Sequence, residues 1–359
     1  MALRTALRWA TFVGVGTLVA GTFVGCGPAA AAPIPSITAC SMNPRSSMPT
    51  APSVPSTSTK PLASQVPPAI EASLRQMGRV IEPMGTARLY APLHPREPYA
   101  GVKVQRSLAY GSDARHLLDV FTPSTTSASA RPVLVFVHGG GFVSGDRRMS
   151  DSPFYDNIML WAAEQGMVGV NMTYRLAPQH TWPAAQQDIA AALRWVRQNI
   201  SGYGGDASRI VLMGHSAGAT HIAHYLGHSQ FYVAPHGGVI GAVLVSPLPL
   251  FDMNMADSSV LQLIQNYFGR DASRYAEQSP MTGLGTVGVP LLLVSAELDP
   301  EDFQRQVLKA HEALCQASGC PPLLELRGHS HLSEIQAVHT ADHALSDAVA
   351  AFIATLRCE

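Results

Sequence analysis

The chain has 359 residues, 47% of them apolar and only 14% charged, against roughly 25% charged in an average soluble chain. Acidic and basic residues nearly cancel to a formal charge of -1, and no block of basic residues stands out, so nucleic acid is not an expected partner. The apolar content is ample for one core.

In chain order, residues 1–32 read as a targeting segment rather than as part of a fold. Arg4 and Arg8 precede an uncharged apolar run from Trp9 to Val24, broken by Gly14, Gly16 and Gly21. That run is short of the roughly 20 apolar residues of a spanning helix. Two processing patterns overlap here. Thr22-Phe23-Val24-Gly25-Cys26 resembles a lipobox, which would lipidate Cys26 and attach the chain to a membrane. Ala30-Ala31-Ala32 suits ordinary secretory cleavage instead. Both imply export, either as a cell-envelope lipoprotein or as a periplasmic or secreted protein. Residues 33–68 read as a linker: over 41–68, 17 of 28 residues are Ser, Thr or Pro, too polar to offset their ordering entropy by burial. Residues 69–100 read as a helix from Ala69 to Val80 followed by a Pro-rich approach segment.

From residue 101 to 359 the pattern is that of one α/β domain. Alternating runs at Val102–Leu108 and His116–Phe121, joined through Gly111-Ser112-Asp113, predict an antiparallel hairpin. Continuous apolar runs follow at Val133–Val137, Met167–Met172, Ile210–Met213, Val239–Val245, Pro290–Val294 and Leu323–Leu326. Helical patterns separate them, at Phe154–Glu164, Pro183–Ile200, Ala217–Gly227, Asp302–Ala317 and Ala341–Leu356. Strands buried on both faces and alternating with helices predict a mostly parallel sheet covered by helices on both sides. Residues 248–289, which include Met253, Met255, Leu261, Tyr267 and Phe268, suit either a cap over a site or ordinary core.

Cys40, Cys315, Cys320 and Cys358 survive either kind of N-terminal processing. Cys315 and Cys320 enclose four residues, a spacing that suits a local disulfide, with Cys40–Cys358 as the remaining pair. Cys315, Cys320, His329 and His331 match no zinc-ligand spacing, and no metal site is expected.

The chemistry concentrates after three of the strands. The run Arg209–Met213 ends directly in Gly214-His215-Ser216-Ala217-Gly218, and a helical pattern starts at once. A strand-to-helix turn of this kind lifts the serine above the sheet, and glycines on either side let the backbones approach. Val133–Val137 likewise runs into His138-Gly139-Gly140-Gly141-Phe142, a loop able to turn N–H groups toward developing negative charge. No Lys-Ser/Thr follows those glycines, as a phosphate loop would require. After Leu291–Val294 comes Ser295-Ala-Glu-Leu-Asp-Pro, with Asp299 the candidate acid and Glu297 its rival. After the last strand comes Gly328-His329-Ser330-His331, with His331 or His329 as base. The order Ser, then acid, then His suits the α/β-hydrolase arrangement. His215 reads as a packing residue, Asp188 as an ion-pair or capping residue, and Asp206 as turn chemistry.

These motifs, with Tyr174-Arg-Leu-Ala-Pro and Gly204-Gly-Asp-Ala-Ser-Arg-Ile, resemble esterases of the α/β-hydrolase fold. The resemblance is to the hormone-sensitive-lipase-like and bacterial carboxylesterase and feruloyl-esterase group, from about residue 100 to the end. It implies a triad of Ser216, Asp299 and His331, and an oxyanion hole made by the N–H groups of Gly140, Gly141 and Ala217. It selects Asp299 over Glu297 and His331 over His329, and it gives Tyr174 and Arg175 structural roles. The implied activity is hydrolysis of short-chain or aryl esters, small molecules, through an acyl-enzyme and with no cofactor. The same triad would serve amide or peptide hydrolysis, and a non-catalytic binding protein on this fold is the reading from another class.

Overall fold

The computed structural model describes residues 64–149, 152–248, 258–317 and 319–356. The signal segment with Cys26, nearly all of the linker, Cys40, Cys358, Met253 and Met255 lie outside the described residues. Two helices come first, α1 (Pro68–Met77) and α2 (Pro83–Tyr90), each with proline in its first turn, where the missing N–H costs nothing. Helix α1 stops at Gly78, which takes φ 77°. Helix α2 falls in the stretch read from sequence as a Pro-rich approach, and the Glu82 side chain caps it through the Gly85 N–H.

The domain then alternates: β1 (Val102–Ala109), β2 (Leu117–Pro123), β3 (Arg131–Val137), α3 (Asp156–Glu164), β4 (Val168–Met172), α4 (Ala184–Asn199), β5 (Gly205–His215), α5 (Ala217–Leu226) and β6 (Gly241–Val245). After these come α6 (Ser258–Phe268), α7 (Tyr275–Gln278), α8 (Met281–Leu284), β7 (Leu291–Leu298), α9 (Glu301–Ala317), β8 (Leu323–Ser330), α10 (Ser333–Gln336) and α11 (Ala344–Thr355). The eight strands form one sheet in the order β1-β2-β4-β3-β5-β6-β7-β8. Strands β1 and β2 pair antiparallel, β2 is antiparallel to β4, and every later pairing is parallel. This is the α/β-hydrolase fold.

The continuous apolar runs are explained by the two cores they feed. On β3, Val133, Val135 and Val137 enter one core while Leu134 and Phe136 enter the other, so neither face of the strand meets water. Helices α3 and α5 are buried nearly all round, whereas α9 covers the sheet with a single stripe. On α9 the buried apolar residues are Phe303, Val307, Ala310 and Leu314, at helical spacing. Most of the described apolar residues of 248–289 prove to be core: Leu248, Val260, Ile264, Tyr267, Phe268, Tyr275 and Leu284 all join the β3/β5 core. Among the described residues no helix is long and apolar enough to cross a membrane.

Strands β5, β7 and β8 run longer than their apolar segments. Strand β5 starts at Gly205, paired with Arg131 before a register shift that sets Val133 opposite Ile210. The polar residues of that first turn are held by Asp206, which accepts from the Ser208 N–H and from Arg209 Nε. Strand β8 continues to Ser330, opposite Leu298, which carries the chain directly to His331.

The chain passes from β3 to β4 on one side and then crosses back to β5 on the other, so the connections diverge at the β3–β5 junction. In open parallel sheets that divergence opens a crevice at the carboxyl ends of the strands. The glycine loop and Ser216 meet there.

Candidate active site

Ser216 occupies φ 55° and ψ -125°, a strained conformation for a residue with a Cβ. Its N–H donates to the Val245 carbonyl at 2.9 Å, which ties the turn to the end of β6. The flanking glycines are required by contact. A Cβ on Gly218 would lie 2.1 Å from the Val137 carbonyl oxygen, and one on Gly214 would lie 2.7 Å from the Gly218 backbone. Both distances are far inside van der Waals contact, so only glycine lets α5 start this close to β3 and β5.

The triple glycine is equally constrained. A Cβ on Gly139 would stand 3.1 Å from Ser216 Cβ, so this loop lies directly against the serine. Gly140 has φ 129°, and a side chain there would run into the Ser144 carbonyl at 2.1 Å. Gly141 has φ 58° and faces the Leu263 side chain of α6. Arg147 Nε, donating to buried Asp119 at 2.9 Å, anchors the chain as it leaves the loop. Ala217 is the first residue of α5, where helix geometry leaves the N–H without an intrahelical acceptor. The N–H groups of Gly140 and Gly141 likewise make no hydrogen bond among the described residues.

His331 Nδ1 is 2.8 Å from Asp299 Oδ1, and both residues are buried. The second carboxylate oxygen accepts from Ser246 Oγ at 2.6 Å and from the Ala296 N–H at 2.8 Å, so Asp299 is fully engaged. Phe303 and the imidazole are perpendicular, with ring centroids 4.9 Å apart. His331 Nε2 is buried without a hydrogen-bond partner among the described residues.

The rivals are occupied elsewhere. Glu297 pairs with Arg75 of α1 at 3.0 Å and accepts the Gly328 N–H at 2.8 Å, and the Arg75 guanidinium holds its carboxyl below the usual range. His329 Nε2 lies 3.1 Å from Asp342. Cys315 and Cys320 are joined in a disulfide beside His311, away from the Asp342 and Asp299 partners of His329 and His331, so the four residues do not gather into one ligand set.

Supporting residues surround the crevice. Tyr174 donates through its hydroxyl to the His138 carbonyl at 2.8 Å and stacks on the His138 ring at 4.4 Å. Burial lowers the His138 imidazole to about 4 and keeps it neutral, its Nδ1–H donating to the Gly139 carbonyl. Arg175 pairs with Asp188, which is also bonded to His116 Nε2 at 3.0 Å. His215 Nε2 bonds the His331 carbonyl at 2.7 Å, which makes Nε2 the protonated nitrogen.

Residues 118–301, just over half of the chain, match the BD-FAE family. The chain belongs to the BD-FAE family. Among similar proteins, Esterase LipC of Mycobacterium tuberculosis is 37% identical over 114 residues, covering 32% of this chain and 27% of LipC. Probable isoprenylcysteine alpha-carbonyl methylesterase ICMEL2 of Arabidopsis thaliana is 39% identical over 117 residues, 33% of this chain and 26% of that protein. The aligned segment thus spans about a quarter of the length of these curated relatives. Over the whole fold, this BD-FAE chain is similar to a solved structure titled Bacterial Heroin Esterase, with TM-score 0.62, 25% identity, and coverage of 81% of this chain and 98% of the other. It also superposes on Esterase B from Lactobacillus Rhamnosis with TM-score 0.60 at 20% identity, covering 80% of this chain and 93% of that one, a likeness of fold.

Two residues of this BD-FAE site had no sequence signal. Ser246 stands at φ 39° directly after β6, and Glu334 lies on α10 three residues beyond His331; both are buried. A lone serine after a strand, or a glutamate in a short helix, carries no spacing to single it out.

Proposed function

We propose that this BD-FAE protein is a serine carboxylic-ester hydrolase, with Ser216 as nucleophile, His331 as general base and acid, and Asp299 as the residue that orients His331. The observation that carries the reading is a strained Ser216 packed against the glycine loop, with the ring of its neighbour His215 4.7 Å from that of His331, which is bonded to buried Asp299. The esterase names of LipC and the other relatives support it.

Asp299 accepts a hydrogen bond from the Nδ1–H of His331, which holds the tautomer whose Nε2 is unprotonated and basic. Nε2 takes the Ser216 proton as Oγ attacks the ester carbonyl. The oxyanion that forms is stabilised by the N–H groups of Gly140, Gly141 and Ala217, donors already in place before the reaction. The same proton goes to the departing alcohol, and water then releases the acid from the acyl-enzyme along the reverse path. The substrates proposed are small esters with short acyl or aryl groups.

A fluorophosphonate should add one adduct, on Ser216, and p-nitrophenyl acetate should be hydrolysed with ordinary saturation and no need for an emulsion. Faster turnover of a peptide amide than of the matched ester would move the reading to an amidase. Failure of the probe to react with a folded protein would remove the enzyme reading altogether.

A further inference from the structure

Among the described residues, Glu334 is a buried carboxyl next to the Asp299–His331 pair that the proposed reaction leaves unused. It is fully buried on α10, and neither oxygen makes a hydrogen bond of ordinary geometry among the described residues. His215 Nε2 is 3.5 Å from Oε1, but that N–H is already directed at the His331 carbonyl at 2.7 Å. Burial lowers the basicity of the His215 imidazole far below its ordinary range, so His215 offers no positive charge either. No lysine or arginine among the described residues forms an ion pair with Glu334. The other groups around it are Asp299 after β7 and His331 after β8, with Tyr90 of α2 and the His329–Asp342 pair on the flank of α10. An ionised carboxyl in such a place would be a second anion beside Asp299, with no cation to offset its desolvation. Burial first, and then the Asp299 charge, push the Glu334 carboxyl well above its ordinary range.

The Ser246 hydroxyl lies beside this carboxyl and is itself bonded to Asp299 Oδ2 at 2.6 Å. A hydroxyl that donates to Asp299 keeps its lone pairs for an acceptor role. Ser246 is held there by a backbone at φ 39° whose N–H donates to the Val294 carbonyl.

We propose that Glu334 is a positioning residue: its neutral carboxyl, which lies beside Ser246 but is not yet within ordinary hydrogen-bond geometry of it, closes onto Ser246 Oγ as a donor and completes a chain from Glu334 through Ser246 and Asp299 to His331. The chain fixes the rotamer of Asp299 and strengthens each successive hydrogen bond. Loss of the Glu334 proton to solvent at alkaline pH sets two carboxylates in competition for one hydroxyl, which loosens Asp299 and lowers turnover. The proposal rests on the esterase reading for its kinetic part alone.

The test has a kinetic and a spectroscopic arm. In the kinetic arm, kcat/KM for p-nitrophenyl acetate should fall on the alkaline side in the unmodified protein. E334Q, which retains a donor but cannot ionise, should lose about threefold at neutral pH and show no alkaline fall. E334L, which removes the donor, should lose about tenfold or more in kcat with KM little changed. An alkaline fall unchanged in E334Q, or E334L as active as the unmodified protein, would overturn the proposal. In the spectroscopic arm, infrared difference spectra at neutral pH should show the carbonyl band of an un-ionised carboxylic acid, absent from E334Q. Should E334Q not fold, S246A should shift that band to higher frequency by removing its acceptor. Absence of the band from the unmodified protein refutes a neutral Glu334, whatever the substrate proves to be.

Discussion

Glu297, the penultimate residue of β7, and Asp299, the first residue after it, sit two positions apart, and their surroundings separate them completely. Asp299 is buried and bonded to His331 Nδ1, Ser246 and the Ala296 N–H, whereas Glu297 is spent on Arg75 and the Gly328 N–H. Asp299→Asn should therefore lower kcat by about 10⁴, as expected when an amide favours the wrong imidazole tautomer. Glu297→Gln weakens a partly exposed ion pair and should cost less than about 1 kcal/mol of stability, with activity within a few-fold. Steady-state kinetics on the two variants decides, and a larger loss in Glu297→Gln would mean that the acid is misassigned. The order of residue types was legible along the chain: serine at a glycine-flanked turn, then aspartate, then histidine, each after a buried strand. Ser246 and Glu334 were not legible, because what brings them to Asp299 is the parallel register that sets Val245 beside Val294 and the return of α10 beneath the site.

At the scale of elements, the carboxyl ends of the strands do the placing. Val137 lies opposite Gly214, and His215 opposite Val245, so the loops after β3, β5 and β6 begin side by side. The glycines set how closely the helix may follow. Gly218→Ala puts a methyl group 2.1 Å from the Val137 carbonyl and must push α5 away from β3. The expected result is destabilisation of about 2 kcal/mol in chemical denaturation, together with a loss of turnover larger than any change in KM. Retained stability and turnover would show that the close approach is not needed. The apolar runs announced the eight strands and the helical stripes announced α1, α3, α4, α5, α9 and α11, since burial on two faces or one leaves a periodic trace; α2, α6, α7, α8 and α10 were not announced. Helix α2 left none: its eight residues include Pro83 and Gly85, and it is held by a cap and by packing rather than by propensity.

For the whole molecule, the buried histidines predict an acid limit to stability. Burial lowers His138 to about 4 and His221 to about 3, so the folded state holds both neutral. Their contribution is fully present above the ordinary histidine value of about 6.5 and is lost as pH falls toward and through the folded values. Glu334 has the opposite sign, since its raised folded value favours the folded state at low pH and costs stability as pH rises. Urea midpoints should fall between about pH 7 and pH 5, and replacing His221 by a neutral residue of similar size should flatten that slope. A slope unchanged by the replacement would count against a neutral His221. At the other end of the chain, the two processing patterns lead to different molecules. Lipidation at Cys26 predicts partition into a detergent phase that Cys26→Ala abolishes, whereas cleavage near Ala32 predicts an unacylated N-terminus there by mass spectrometry. Either result decides between them, and both agree with export.

What the sequence determined by itself was whatever depends on local pattern: an α/β domain from alternating buried strands and helices, the turn that presents Ser216, and the glycines that admit close backbone approach. The choice of partners was decided in three dimensions. Asp299 rather than Glu297 faces His331 because α1, distant in the chain, brings Arg75 to Glu297, and the Gly328 N–H holds it as well. His331 rather than His329 faces Asp299 because Asp342 lies beside His329. A buried charged group takes the partner that the packing of remote segments leaves within hydrogen-bond reach, and sequence separation carries no record of that distance.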